Sequence, residues 1–137
     1  MAIFFHAEGL NFNLKDKKKI KEWIKYCIKN ENKNLKIINY IFVSDNYIID
    51  INKKFLNRNY YTDIITFDYS EEKDISGDIY ISIDSVKMNS EIYQYSFENE
   101  LFRVMIHGAL HLVGYLDKTE TQKAEMREKE EYYLNKV

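Results

Sequence analysis

The stretch DIITFDYSEEKDISGDIYISID, residues 63–84, decides the fold because it places two strand-like segments next to each other in the chain. DIITFDY (63–69) and GDIYISID (77–84) are rich in isoleucine and aromatic residues, a composition typical of strands. The acidic segment SEEKDIS (70–76) between them is predicted to be a loop. Two strands with no helix between them favour an α+β domain.

The N-terminal half supplies two more strands and two helices. AIFFHAE (2–8) and LKIINYIFVSD (35–45) are predicted strands, because both are apolar and the second is rich in β-branched residues. From Asn13 or Leu14 to about Lys29, apolar residues recur every three or four positions, which predicts an amphipathic helix. SDNYIIDINKKFL begins with two possible N-caps and is predicted to be the second helix.

The C-terminal half is predicted to be helical. Helical spacing runs from Asp84 to about Val113, with a break near Tyr95–Ser96, and KTETQKAEMREKEEYYLNK is a final, highly charged helix. Ser96 is the expected N-cap of the segment SFENELFRVMIHGALHLVG. The predicted order is β-α-β-α-β-β-α-α-α: a mixed sheet of about four strands packed with about five helices, in a single domain over residues 1–137.

Composition restricts the class of protein. The chain has 137 residues, 45% hydrophobic and 31% charged, with a net charge of −2, so a packed globular domain is expected. No apolar run approaches the roughly 18–20 residues that span a bilayer, and the N-terminus is predicted to be a strand rather than a signal peptide. The single cysteine, Cys27, excludes an intrachain disulfide and fits a reducing cytoplasm, the expected location.

The segment MIHGALHLVGYLD (105–117) carries the candidate site. On a helix, His107 and His111 share one face with Cβ atoms roughly 5–6 Å apart, so both imidazoles can bind one ion. The bare pair is equally typical of two buried histidines satisfied by hydrogen bonds. Apolar surroundings mean that the rings need partners, and Gly114 can turn the chain back toward them. Asp117 is the one good ligand in that turn, which predicts a His107–His111–Asp117 metal site.

The residue after the first histidine argues against peptidase chemistry. Zinc peptidases with an H-E-x-x-H helix use its glutamate as the general base, and Gly108 occupies that position here. Phosphodiester cleavage requires fewer catalytic side chains, because the ion itself neutralises charge on the phosphoryl oxygens. His6 is expected to be structural and is only a distant fallback ligand, while Trp23 and Cys27 are expected to lie in the core.

HGALHLVGYLD resembles the signature of the YbeY family of metal-dependent endoribonucleases and rRNA maturation factors, H-G-x-L-H-L-x-G-Y-D-H, whose three histidines are zinc ligands. A second family region resembles INKKFLNRNYYTDIITF, and GDIYIS (77–82) matches a family strand, so the resemblance covers nearly the whole chain. The matching positions are His107, Gly108, Leu110, His111, Leu112, Gly114 and Tyr115 in the first region, and Asn52, Phe55 and residues 62–67 in the second.

Two departures from the family pattern matter for the chemistry of the site. Asp117 replaces the third histidine; a carboxylate also ligates zinc, and its negative charge predicts a higher pKa for bound water and tolerance of manganese or another divalent ion. Leu56 occupies the position of the family's functional arginine. Arg58, two residues on, is either a phosphate contact or a solvated loop residue.

The resemblance implies a zinc-dependent endoribonuclease that cleaves single-stranded RNA with a metal-bound water as nucleophile. Its implied role is in 16S rRNA 3′-end maturation and ribosome quality control, with small-subunit rRNA and the ribosome as partners and no membrane. The alternative is a non-catalytic, metal-stabilised ribosome-assembly factor that binds rRNA or ribosomal proteins. Candidate RNA contacts are a helical lysine ridge, a pattern more often a solvated face, and two loop tyrosines: Lys17, Lys21, Lys25, Lys29, Tyr60 and Tyr61.

Overall fold

The computed structural model describes residues 2–57 and 62–137. Four strands and five helices follow one another in these residues in the predicted order. Their bounds are β1 (Ala2–Ala7), α1 (Lys17–Asn30), β2 (Asn34–Val43), α2 (Asp45–Leu56), β3 (Ile64–Asp68), β4 (Asp74–Ser82), α3 (Ile83–Tyr93), α4 (Phe97–Val113) and α5 (Glu120–Leu134).

The four strands form one mixed sheet in the order β1-β2-β4-β3. The pairs β1–β2 and β2–β4 are parallel, while β3 is antiparallel to β4. The two strands that are adjacent in sequence therefore pair directly, and β3 becomes an edge strand. The predicted α+β class, with a mixed four-stranded sheet and five helices, is confirmed.

Two elements, α1 and β4, begin three or more residues away from the predicted position, each for a local reason. Helix α1 begins at Lys17 because Asp16 has a left-handed backbone (φ 57°), which interrupts the helix. Strand β4 begins at Asp74 rather than three residues later, because a tight turn with Glu72 at φ 53° returns the chain early. The acidic loop is shorter than predicted as a result, and Ile75 is buried in the core.

Helix α4 lies very close to the sheet at Gly108. A Cβ atom built there would lie 2.9 Å from Ile79 Cγ2 and 3.0 Å from Ile64 Cδ1. At these distances an added Cβ atom would force the isoleucine side chains or the helix to shift, so the close approach of α4 to β3 and β4 favours glycine. The position that carries the glutamate in an H-E-x-x-H helix is here a packing contact with the sheet.

The predicted core residues are buried and His6 is distant from the candidate site. Trp23 is 4% exposed and Cys27 is fully buried on the inner face of α1. His6 lies on β1, the edge of the sheet opposite β3, and its Nε2 is 3.1 Å from Asn39 Oδ1. Within residues 2–57 and 62–137, none of the helices is sufficiently long and apolar to cross a membrane.

Candidate metal centre

The end of α4 and the turn after it bring His107, His111 and Asp117 together. Both histidines project from the same side of α4, with ring centroids 4.5 Å apart. Gly114 ends the helix in a left-handed conformation (φ 116°) and donates its N–H to the carbonyl of His111. The chain then reverses, so that Asp117 Oδ2 lies 3.3 Å from His107 Nε2 and 3.4 Å from His111 Nε2.

The distances from Asp117 to the two histidines fit a tetrahedral divalent ion. Bonds of about 2.0–2.1 Å to a central ion give ligand–ligand edges of about 3.3–3.4 Å. The two edges that end at Asp117 Oδ2 are 3.3 and 3.4 Å, and all three ligand atoms lie within 4.8 Å of one another. Two imidazoles and one carboxylate also suit zinc chemically and leave one coordination position for water.

Each histidine is oriented through its other ring nitrogen. Glu130 Oε2, from α5, lies 2.5 Å from His107 Nδ1, and the carbonyl of Tyr115 lies 2.9 Å from His111 Nδ1. Both acceptors select the tautomer with the proton on Nδ1, which leaves the Nε2 lone pairs directed at Asp117. The arrangement is the carboxylate–histidine and carbonyl–histidine support found around metal-binding imidazoles.

The charges around His107 favour a cation in the site. Burial opposes protonation, yet hydrogen bonding to Glu130 and the charges of Glu130, Asp117 and Asp63 raise the pKa of His107 above its ordinary value. For the acids the effect of burial has the opposite sign: it raises the pKa of Asp63, and raises that of Glu100 to about 7, so both are less readily ionised. The negative charges of Glu130 and Asp117 favour either a protonated His107 or a bound divalent ion, so protons and metal compete for the centre.

The centre opens into a cleft of about 720 Å³ between α2, the edge strand β3 and α4. Two basic side chains line it among the described residues, Arg103 and Lys118. Arg103 precedes His107 by one helical turn; its Nη1 is 2.6 Å from Glu131 Oε1, and its guanidinium lies 4.9 Å from the ring centroid of Tyr95. The other lining residues are Asn52, Leu56, residues 62–66, Asp68, Glu100, Val104, His107, His111, Leu116, Asp117 and Glu130.

The predicted lysine contacts on α1 do not line this cleft. Lys17, Lys21, Lys25 and Lys29 are on α1, which contributes no residue to the lining. The Nζ of Lys21 lies 5.8 Å from the ring centroid of Phe5. The remaining candidates, Arg58, Tyr60 and Tyr61, lie outside the described residues.

Sequence reasoning missed Glu130 and Arg103. Glu130 carried a detectable signal: it falls on the buried face of α5 between Met126 and Tyr133, where a carboxylate requires a partner. Arg103 is four residues before His107, which places it on the same helix face. The partner of each residue is distant in sequence, so the pattern alone does not identify it.

The protein therefore has an α+β fold in which α4 and the turn after it present two histidines and an aspartate beside an open cleft. These features place it in a class of proteins with a candidate site for a single metal ion. The chain belongs to the YbeY family: the family model described as Endoribonuclease YbeY matches residues 5–137.

Relatives support this assignment over almost the entire chain. The Endoribonuclease YbeY of Karelsulcia muelleri is 50% identical over 123 residues, which are 90% of this chain and 87% of the relative. The Endoribonuclease YbeY of Cytophaga hutchinsonii is 46% identical over 135 residues, 98% of this chain and 94% of the relative. A solution structure of a Thermotoga maritima protein superposes with a TM-score of 0.70 at 33% identity, covering 98% of this chain and 87% of that one.

Proposed function

We propose that this protein is a metal-dependent endoribonuclease that cleaves single-stranded RNA at the His107–His111–Asp117 centre. The observation that carries the proposal is the convergence of three ligand atoms, with edges of 3.3 and 3.4 Å, at one end of the cleft. The name of the curated relatives, endoribonuclease, supports RNA as the substrate. Zinc is the proposed ion, and manganese or another divalent ion is compatible with the carboxylate ligand.

The bound ion would acidify a water for attack on phosphorus and neutralise charge on the phosphoryl oxygens. The chain's own residues would orient the substrate. The buried Nε of Arg103 has no hydrogen-bond acceptor among the described residues, and Glu100 Oε1 is 3.8 Å away. Because its guanidinium lines the cleft one turn before the metal ligand His107, Arg103 is suited to contact an RNA phosphate.

The exposed apolar side chains of the cleft support unpaired RNA as the substrate. Its apolar lining includes Leu56 and Leu116, which are 37% and 52% exposed and available to contact bases. Bases in a duplex are stacked and paired, so they do not offer their faces to such side chains. In the cell, the proposed substrate is small-subunit rRNA near its 3′ end, in the cytoplasm, during maturation and quality control of the ribosome.

Removal of the metal tests the proposed activity directly. We expect the purified protein to cleave an end-labelled single-stranded RNA, to lose this activity after treatment with a chelator, and to recover it when zinc or manganese is added back. The same sequence annealed into a duplex should be cut much more slowly. If the metal-loaded protein binds RNA without cutting it, the alternative of a non-catalytic assembly factor is supported; if cleavage persists in chelator, the metal-dependent activity is contradicted.

The proposed phosphate contact of Arg103 gives a second prediction. Arg103→Gln removes a charge-assisted hydrogen bond worth about 1.5–3 kcal/mol, so kcat/KM for RNA should fall by roughly 10–100-fold, chiefly through KM. Arg127→Gln is the matched control, because Arg127 is exposed on α5 and does not line the cleft. The Nη1 of Arg103 also lies 3.7 Å from Glu130 Oε1. If Arg103→Gln weakens zinc binding as much as it weakens cleavage, Arg103 therefore acts through Glu130 and not on the phosphate.

A further inference from the structure

We infer that Glu31, at the end of the first helix, is a positioning residue of the metal centre, which acts through Tyr115 on the turn between His111 and Asp117. The inference rests on the proposed function, because it takes these two residues as metal ligands. Glu31 follows α1 as its C-cap, more than eighty residues away in sequence from the turn that it contacts.

Glu31 accepts hydrogen bonds from three donors. The hydroxyl of Tyr115 donates to its Oε1 over 2.7 Å, while Oε2 accepts from the hydroxyl of Tyr133 and from Lys129 Nζ, the latter at 3.2 Å. The side chain of Glu31 is 9% exposed. Burial alone would raise the pKa of Glu31, but the hydrogen bonds from Tyr133, Tyr115 and Lys129 lower it overall, so the ionised carboxylate is stabilised in this network.

Tyr115 connects this network to the metal centre. Its carbonyl oxygen accepts from His111 Nδ1 at 2.9 Å, and its backbone N–H donates to the carbonyl of Leu110 at 3.0 Å. Its hydroxyl reaches Glu31 on the other side. The residue that selects the tautomer of His111 is therefore fixed at both ends, and Asp117 follows two positions later in the chain.

Tyr115 is the side chain that fixes the turn within the part of the chain that the structure describes. Gly114 has no side chain and an added Cβ would contact nothing within 4 Å, while Leu116 is 52% exposed. The next fixed point comes after Asp117, where Lys118 and Thr119 donate their N–H groups to Gln122 Oε1. Releasing Tyr115 from Glu31 would therefore loosen both the acceptor of His111 and the approach to Asp117.

The two tyrosines on Glu31 provide a matched pair of variants. Tyr115→Phe removes the hydroxyl that fixes the turn, and Tyr133→Phe removes a hydroxyl that ties α5 to the same carboxylate. Each change removes one hydroxyl that donates a hydrogen bond to Glu31. Only Tyr115→Phe removes it from the turn that joins His111 to Asp117. Glu31→Gln removes the charge that accepts from both phenols and from Lys129, and it provides a second variant if Tyr115→Phe folds poorly.

The experiment measures the zinc affinity of each metal-free protein by titration against a competing chelator. The unfolding temperature of each metal-free protein is measured separately. We expect Tyr115→Phe and Glu31→Gln to bind zinc about tenfold more weakly, and Tyr133→Phe to bind it like the wild type whatever its unfolding temperature. Glu130→Gln, which alters the direct acceptor of His107, is the benchmark at roughly 10–100-fold weaker binding. The absorption bands of bound cobalt should also change in Tyr115→Phe and not in Tyr133→Phe.

Wild-type zinc affinity for Tyr115→Phe and Glu31→Gln, or equal loss in Tyr133→Phe, would overturn the positioning role. The readout separates this result from a failure of the proposed function, because zinc binding is measured without RNA. A wild-type protein that binds zinc but cuts no RNA contradicts the nuclease proposal alone. A wild-type protein that binds no zinc contradicts both.

Discussion

His111→Ala is expected to abolish binding of zinc at micromolar concentrations and to lower single-strand RNA cleavage by at least about 10³-fold. The substitution leaves only His107 and Asp117 as ligands. It also removes the imidazole that donates to the carbonyl of Tyr115. Two ligands do not retain a catalytic zinc ion, whose sites use three. Metal content of the purified protein and the rate of cleavage of an end-labelled RNA give the two measurements.

His6→Ala is the matched control for this loss. His6 lies on the opposite edge strand and contacts Asn39, so its removal should leave both metal content and cleavage unchanged. Equal cleavage by wild type and His111→Ala after the same purification would indicate a contaminating nuclease and remove the nuclease interpretation. In the same metal assay, an unchanged metal content for Asp117→Ala would exclude Asp117 as a ligand.

Gly108→Ala is expected to lower the free energy of unfolding by about 1–3 kcal/mol, although glycine to alanine usually stabilises a helix by about 1 kcal/mol. The sign reverses because the new methyl group would lie 2.9 Å from Ile79 Cγ2 and 3.0 Å from Ile64 Cδ1, both in the packed interface of α4 with the sheet. Gly108→Glu should prevent stable folding, since it adds a buried, unpaired carboxylate to the same clash. Denaturant unfolding of the metal-free proteins measures the difference.

Ala124→Gly calibrates the helix-propensity part of this change. Ala124 is exposed on α5, so its replacement should cost about 1 kcal/mol from propensity alone. A Gly108→Ala protein more stable than the wild type would show that α4 moves away from the sheet without penalty. In that case the close approach would not explain the absence of a side chain at Gly108.

Local patterns in the sequence predicted most of the fold because each element carries its own signal. Ser44 and Ser96 cap α2 and α4 as expected, and the strand pair around residues 63–84 forms directly. The predicted start of α1 was wrong because the helical spacing continues through Asp16, whereas the backbone of that residue is left-handed (φ 57°) and ends the helix there. Apolar spacing does not report the backbone angle of a single residue.

The sequence also predicted only part of the candidate site, namely the residues that lie close together in the chain. His107, His111 and Asp117 lie within eleven residues of one another, so helix geometry and one turn were enough to group them. Glu130 and Glu31 reach the centre from other helices, at sequence separations of 23 from His107 and 84 from Tyr115. Their partners depend on how α1 and α5 dock against α4, which periodicity within one helix does not encode.

The burial of α4 gives the metal centre one stiff side and one adaptable side. Most residues of α4 are buried in the core, so the two imidazoles are preorganised when the protein folds, and neither can shift far without disturbing that packing. Asp117 lies outside the helix on the turn that Tyr115 holds, and its side chain is 40% exposed, so rotation of that side chain can adjust the carboxylate to different bond lengths. We therefore expect ions of different radius to be accommodated mainly by movement of Asp117, with the histidine pair as a fixed reference.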